Sequence, residues 1–301
     1  MSGHYLDFSD FTAAQTKDLM ARAAAEKVNT KGGHRSPRLR GRFLMMLFER
    51  ASTRTRTSFA AAIAQSGGVA GNLELGQSQL SRGESIADTA RAVSSMCDAV
   101  VIRACKHETI AEFANYSACP VINGLSDRSH PCQVLADVMT YQEMRGDLSG
   151  RQIAWCGDFN NVLFSWAQAA SMFQAELRVA CPPQYRPSSP PPGVVVVESA
   201  EEAVKDVDLV MTDVWTSMGD EKESAERRRA FAGYSVSAGL MKLASPDALF
   251  MHCLPAHRGE EVAAEVIDGE QSAVWTQAEN RMHAQKALLW ALIPGEDNER
   301  E

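Results

Sequence analysis

The sequence has no cysteine pair spaced as CxxC, no basic excess, no long apolar run and no internal repeat. Its seven cysteines are odd in number and scattered, at 97, 105, 119, 132, 156, 181 and 253. That pattern fits free thiols in a reducing compartment and speaks against a disulfide framework. Lys and Arg number 30 against 38 Asp and Glu, for a formal net charge of -8. A nucleic-acid binder needs a basic footprint, so that class is excluded; a small anion needs only one local basic cluster. The apolar runs fall far short of the roughly 20 residues that cross a bilayer, so no membrane partner is expected. The opening MSGHYLDFSDFT is acidic and carries no apolar signal core, so the expected location is the cytoplasm. Finally, WCGDFNNV (155–162) has one glycine where the dinucleotide fingerprint needs three, which excludes nicotinamide binding.

What is present is the pattern of an ordinary globular chain: 301 residues, 45% hydrophobic and 23% charged. That length suggests about two domains. Short apolar runs alternate with longer helical patterns, which predicts an α/β protein built on parallel sheets. GRFLMMLF (41–48), DAVVIRA (98–104) and CPVING (119–124) read as strands, and TSFAAAIAQS and HPCQVLADVMTYQEM (130–144) as helices. The polar, glycine-containing RGDLSGR (145–151) reads as a break between domains, after which RQIAWCGD, ELRVACP, VDLVMTDVW and DALFMHCLP give further strands. VLFSWAQAASMF and AENRMHAQKALLWALI (278–293) read as helices. PPQYRPSSPPPG (182–193) reads as a stiff exposed loop, and AERRRAF (225–231) as a solvated helix face.

In such folds, sites gather at the carboxyl ends of the strands, and the unusual polar clusters fall there. Ser52 to Thr57 alternate hydroxyls and guanidiniums between a strand and a helix. Free backbone N–H groups at the helix start favour an anion, and Arg grips phosphate bidentately; the competing reading is a Ser/Thr N-cap with exposed arginines. Arg103 ends an apolar strand and His130 precedes Pro131; together they can stabilise an oxyanion, or each can be an ordinary surface or satisfied polar residue. His130, Cys132 and HCLPAH (252–257) fit no common zinc spacing, so no metal is expected. Cys253 reads by default as a buried inert thiol.

Taken in order, FERASTRTRTSF, QLSRGESIADTARAVSSMCDAVVIR, NGLSDRSHPCQVLAD, TDVWTSMGDE and MHCLPAHRGEEV resemble the aspartate/ornithine carbamoyltransferase family, on its ornithine side, over almost the whole chain. The resemblance implies two doubly wound parallel-sheet domains with the active site in the cleft between them. Residues 1–145 would bind carbamoyl phosphate and 146–277 ornithine, with the C-terminal helix (about 278–295) packing back on the first. It implies that Ser52, Thr53, Arg54 and Thr55 hold the phosphate, together with Arg281. Arg103, His130 and Gln133 would surround the carbamoyl group. Asn161, Asp213, Ser217 and Met218 would hold ornithine's amino-acid end, and Cys253 and Leu254 would lie beside the reacting amine. Gln79 would reach carbamoyl phosphate from a neighbouring subunit of a homotrimer. By the same resemblance, Arg103, His130 and Cys253 would be the catalytic residues, nearest the chemistry. No cofactor is implied. Ala51, Phe159 and Ser81 depart from the family's usual residues without removing a contacting group.

Residue chemistry agrees with those roles. A neutral amine attacks a carbonyl carbon and phosphate leaves; the tetrahedral oxygen needs donors and the leaving dianion needs cations. An amine with a pKa near 10 must first shed a proton. WTSMGDEKES (215–224), polar with Gly219 as a hinge, is expected to close over ornithine. The rival readings are a carbamoyltransferase for a related amine, N-acylated ornithine or putrescine, and an inactive homologue serving as a binding subunit.

Overall fold

The computed structural model describes residues 3–216 and 224–295. The chain divides into two compact units, Met1–Met139 with Glu279–Glu301, and Thr140–Ala278.

The first unit carries a four-stranded sheet in the order β2-β1-β3-β4. Its strands are β1 (Phe43–Phe48), β2 (Val69–Glu74), β3 (Ala99–Arg103) and β4 (Val121–Leu125), all parallel. The chain supplies α1 (Ala13–Lys31), α2 (Thr53–Gln65), α3 (Ile86–Ser94), α4 (His107–Tyr116) and the start of α5 (Pro131–Arg145). β3 and β4 are buried along nearly their whole length, which is why they read as continuous apolar runs. β2, with the sequence VAGNLE, is at the sheet edge and half exposed, and its mixed composition hid it from periodicity. At the other side, Tyr5 N donates to Val121 O and Asn123 N to Tyr5 O, both at 2.8 Å, so the N-terminal segment covers the edge of β4.

The second unit carries a five-stranded sheet in the order β7-β6-β5-β8-β9. The strands are β5 (Gln152–Cys156), β6 (Glu176–Ala180), β7 (Val194–Val197), β8 (Leu209–Thr212) and β9 (Leu249–His252), again parallel. The helices are α6 (Asn161–Phe173), α7 (Ala200–Val204), α8 (Ser224–Phe231), α9 (Ala238–Met241), α10 (Ala264–Ile267) and α11 (Val274–Leu292), whose later part belongs to the first unit. α11 starts four residues before the expected 278, because its first turn, VWTQ, carries β-branched and aromatic residues that mask a helix.

In each sheet the order reverses direction once. β2 lies on one side of β1 and β3 on the other; β6 lies on one side of β5 and β8 on the other. The carboxyl ends of β1/β3 and of β5/β8 are therefore topological switch points, where ligands bind in open α/β sheets.

Two sequence expectations in the second unit hold for most of their residues but each misses a packed side chain. Arg227, expected on a solvated face, is buried: its Nε donates to Trp215 O at 2.5 Å and its Nη2 pairs with Asp158. Its guanidinium lies 4.5 Å from the centre of the Tyr185 ring. Tyr185, in the proline-rich segment expected to be exposed, packs at 4.9 Å from Phe231. A carboxylate, a carbonyl and the Tyr185 ring from other segments, with Phe231 of the same helix 5.3 Å away, converge on one guanidinium, which no local pattern announces.

Within the first unit, the end of α11 is tied to α1 by buried polar contacts. Lys286 Nζ lies 3.1 Å from Glu26 Oε2, their side chains 0% and 11% exposed, and Lys27 Nζ donates to Asn280 Oδ1 at 2.8 Å. Removing one member of a buried ion pair leaves the other charge uncompensated. Glu26→Ala is expected to cost about 3 kcal/mol, read as a lower denaturation midpoint at unchanged slope; an unchanged midpoint would show that the pair is not structurally required.

Candidate active site

In the first unit, the β1–α2 turn places Ser52 at the N-cap position of α2 with extended backbone, φ -151° and ψ 99°. The expected cap bond is missing. Ser52 Oγ instead accepts from Arg103 Nη1 at 3.1 Å, across the β1/β3 switch point. The first-turn N–H groups of α2 therefore receive nothing from the cap side chain, the situation that favours an anion at a helix start. Arg54, half-buried in that turn, makes no hydrogen bond, ion pair or ring contact among the described residues. Arg56, two residues on, is used structurally: it pairs with Glu74 and lies 5.0 Å from the centre of the Phe48 ring. Thr53 is exposed.

Thr55 is buried, and its Oγ1 accepts from Arg281 Nη2 at 3.1 Å. Arg281 Nη1 donates to Gln133 Oε1 at 2.6 Å, and Gln133 Nε2 to Asp137 Oδ1 at 2.8 Å. One guanidinium thus joins α2, α5 and α11 behind the phosphate-favouring turn. Asp137, which orients Gln133, was not found from sequence; its position one turn after Gln133 on α5 was the available signal. Gly124 is the extra residue where the β3–β4 register shifts from Ile102↔Asn123 to Arg103↔Leu125. A Cβ there would meet Val101 Cγ1 at 3.0 Å and Ile102 O at 3.2 Å, so this bulge at the site needs glycine. His130 is buried beside Arg281 and Arg103. Burial first, and the two guanidiniums second, hold its imidazole neutral, well below the usual 6.5. Gln79 is exposed at the start of a short turn, Gln79–Arg82, and its side chain bonds to none of these residues. Ser85 caps α3, its Oγ accepting from Asp88 N at 3.0 Å.

In the second unit, Asp213 directly follows β8, buried and saturated with donors. Its Oδ2 accepts from Asn160 Nδ2 at 2.7 Å; its Oδ1 accepts from Val214 N at 2.8 Å and Cys253 Sγ at 3.0 Å. Asn160 also caps α6, its Oδ1 accepting from Val162 N and Leu163 N, each at 3.0 Å. The bond from Asn160 to Asp213 spans the β5/β8 switch point. Sequence reasoning singled out Asn161, half-buried at the first position of α6, and passed over Asn160. The signal was an Asn immediately before a periodic apolar run. Gly157 precedes this turn with φ +146°, a conformation side chains avoid.

Cys253 and Leu254 follow β9. Leu254 sits at φ +58°, uncommon for a branched residue, before a cis bond to Pro255. Its N–H donates to His252 Nδ1 at 2.9 Å. That ring nitrogen is therefore an acceptor, so the proton is on Nε2, 3.3 Å from the buried Glu261 Oε1. Glu261 Oε1 also accepts from His257 N at 2.6 Å. Ser217 and Met218 lie outside the described residues, as does most of the segment expected to close. Asp213, His252 and Cys253 offer ligand atoms within 4.8 Å of one another, as do His257, Glu260 and Glu261. In the first group both ring nitrogens of His252 are already engaged, and in the second Glu260 faces Arg228 at 3.4 Å.

Comparison with known proteins places these features. Residues 3–143 match the family model for the aspartate/ornithine carbamoyltransferase carbamoyl-P binding domain, and residues 149–292 match that for the Asp/Orn binding domain. The ornithine carbamoyltransferase of Methanoculleus marisnigri is 50% identical over 303 residues, covering 98% of both chains. That of Bordetella avium is 51% identical over 299 residues, 97% of this chain and 96% of its own. Among solved structures, ornithine carbamoyltransferase from Pyrococcus furiosus superposes with a TM-score of 0.92 at 43% identity, covering 99% of this chain and 98% of that one. The chain belongs to the aspartate/ornithine carbamoyltransferase family.

The neutral state of His130 has a measurable consequence. Its folded pKa lies below 6.5, so below that pH the unfolded chain binds the proton that the folded chain refuses. Stability is then lost as pH falls below 6.5, by up to about 1.4 kcal/mol per pH unit for this group. His130→Gln should flatten the curve of denaturation midpoint against pH between about 4.5 and 7; His283, also lowered by burial, keeps part of the slope. Identical slopes in both proteins would contradict the assignment.

Proposed function

We propose that this chain transfers the carbamoyl group of carbamoyl phosphate to the δ-amine of L-ornithine, releasing L-citrulline and phosphate. The observation that carries the reading is the half-buried, unpartnered Arg54 in the uncapped first turn of α2, with Arg103 and Arg281 held beside it by Ser52 and Thr55. The names of the relatives, ornithine carbamoyltransferases at about half identity over nearly full length, support it independently.

Residues 1–145 with the C-terminal helix form the carbamoyl phosphate domain in this reading, and residues 146–277 the ornithine domain. The α2 turn, through Ser52, Thr53, Arg54 and Thr55, receives the phosphate, with Arg281 as the buried counter-charge. Arg103, neutral His130 and Thr55 donate to the carbonyl oxygen as it gains charge, and Gln133 orients the carbamoyl amide. Because His130 is neutral, it can offer one N–H without adding a cation that would be costly to bury. Asp213 takes ornithine's α-ammonium, and Asn161, Ser217 and Met218 hold its amino-acid end. Cys253 and Leu254 border the δ-amine, which attacks once deprotonated, and the departing phosphate can accept its proton. Holding both substrates in order supplies much of the rate. The enzyme acts as a cytoplasmic homotrimer in arginine metabolism; all seven cysteines being free suits a reducing compartment.

The direct test is citrulline formation by the purified protein, with putrescine and N-acetylornithine as competing amines; carbamoylation of either in preference to ornithine would overturn the substrate assignment. Arg54→Ala should weaken carbamoyl phosphate binding by roughly 10- to 100-fold, the range for a lost charge-assisted hydrogen bond. Unchanged affinity would remove Arg54 from the site.

The Gln79 side chain is exposed and hydrogen-bonds to no site residue of its own chain, as expected of a residue lent to a neighbour. Mixing Gln79→Ala with Arg54→Ala chains should rebuild intact sites in hybrid trimers. The mixture should exceed the average of the separate activities. An average, with hybrids seen on native gels, would sink the shared site.

A further inference from the structure

Two thiols far from this chemistry face each other. Cys97 precedes β3 and Cys119 precedes β4, and their sulfurs lie 3.8 Å apart. The backbone on both sides is pinned: Ala118 N donates to Ser94 Oγ at 2.9 Å, and Val100 N to Pro120 O at 2.8 Å. Closing to the bond length of about 2.05 Å therefore needs side-chain rotation more than chain movement. The pair lies just under the surface: Cys97 is half-buried and Cys119 buried at 9% exposure, while the adjoining Met96 and Ala118 are exposed.

The chemistry of the pair differs from that of the three buried thiols Cys132, Cys156 and Cys181. Cys97 offers one S–H, contested between Val93 O at 3.2 Å and Cys119. Where it donates to Cys119, that sulfur is held down to about 7, while Cys97 is raised. Ser117 Oγ also lies 3.7 Å from the Cys119 sulfur, its hydroxyl donating to Cys119 O at 2.7 Å. Cys132, Cys156 and Cys181 are instead pushed up to about 12 by burial. The thiolate is the reactive form, so these three buried thiols compete poorly with the pair.

We propose that Cys97 and Cys119 are a modification site, joined into an intrachain disulfide by exchange with a small-molecule disulfide such as oxidised glutathione. The Cys119 thiolate attacks one glutathione sulfur; a Cys119–glutathione disulfide forms and glutathione thiolate leaves, taking up a proton. Cys97 then loses its proton to solvent and attacks the Cys119 sulfur, expelling the second glutathione. The two protein thiols lose two electrons and two protons, and the glutathione disulfide is reduced to two thiols.

The bridge would span 22 residues and enclose α4. A loop of that size restrains the unfolded chain appreciably. It sits at the amino ends of β3 and β4, with the length of β3, roughly 17 Å by strand rise, between it and Arg103. Oxidation should therefore raise Tm by several degrees and leave the turnover number unchanged.

The test treats the full-length protein with oxidised glutathione, alkylates the remaining thiols, and maps peptides by mass spectrometry. A Cys97–Cys119 linked peptide is expected, reversed by dithiothreitol, with a higher Tm before reduction. Cys97→Ser should stop at the Cys119–glutathione adduct, and Cys119→Ser should give no bridge. Recovery of Cys97 and Cys119 both alkylated, or linkage of either to a third cysteine, would overturn the proposal. A linked protein whose Tm does not rise would overturn the stabilising role. The outcome is independent of the activity proposed above, because no step of the readout requires turnover.

Discussion

The reversal of strand order within each sheet is the constraint on which the rest depends. A parallel sheet that grows to both sides of its first strand leaves a gap where the connections diverge. In the first unit that gap lies above β1 and β3, and in the second above β5 and β8. Each gap is crossed by one hydrogen bond between side chains brought from separate strand ends, Arg103 to Ser52 in the first and Asn160 to Asp213 in the second. In both, the residue entering the following helix is diverted or doubled in use. Ser52 gives up its capping role, while Asn160 caps α6 and holds the carboxylate at once.

The two units carry opposite charge at these points. The first gathers Arg54, Arg103 and Arg281 around an uncapped helix start, with His130 kept neutral by burial and by those same cations. The second centres on one buried carboxylate, Asp213, whose oxygens already accept from an amide, a backbone N–H and a thiol. A phosphate suits the first arrangement and an ammonium the second. Arg281 illustrates how the positive charge is tolerated inside: Gln133 and Thr55 accept from it, and Asp137 beyond Gln133 compensates the charge at one remove.

Much of the fold was legible because parallel strands buried on both faces must be apolar throughout. FLMMLF, AVVIR and QIAWC could scarcely be anything else. The edge strands β2 and β7 were not legible, since an edge faces solvent and carries glycine, asparagine or an undifferentiated valine run. Of the candidate site, the Ser52–Thr57 cluster stood out because hydroxyls and guanidiniums in alternation have no packing use. Its division of labour did not: Arg54 is left without a partner while Arg56 pairs with Glu74. Asn160 was missed beside Asn161 because a cap and its neighbour differ by one residue in sequence and by their whole orientation in space.

The sequence by itself determined the class of fold and the order of the polar clusters, because these follow from local periodicity and from residue types that bury poorly; the family was read from the resemblance of its motifs. Only the tertiary structure decided which clusters touch. Ser52 meets Arg103 from 51 residues away, Thr55 meets Arg281 from 226, and Cys253 meets Asp213 from 40. Arg227, charged in a run of charges, became a buried anchor because Asp158, Trp215 O and Tyr185 arrive from three other segments. Hydrogen bonds and ion pairs of this kind act over a few ångströms of space, and distance along the chain carries no record of them.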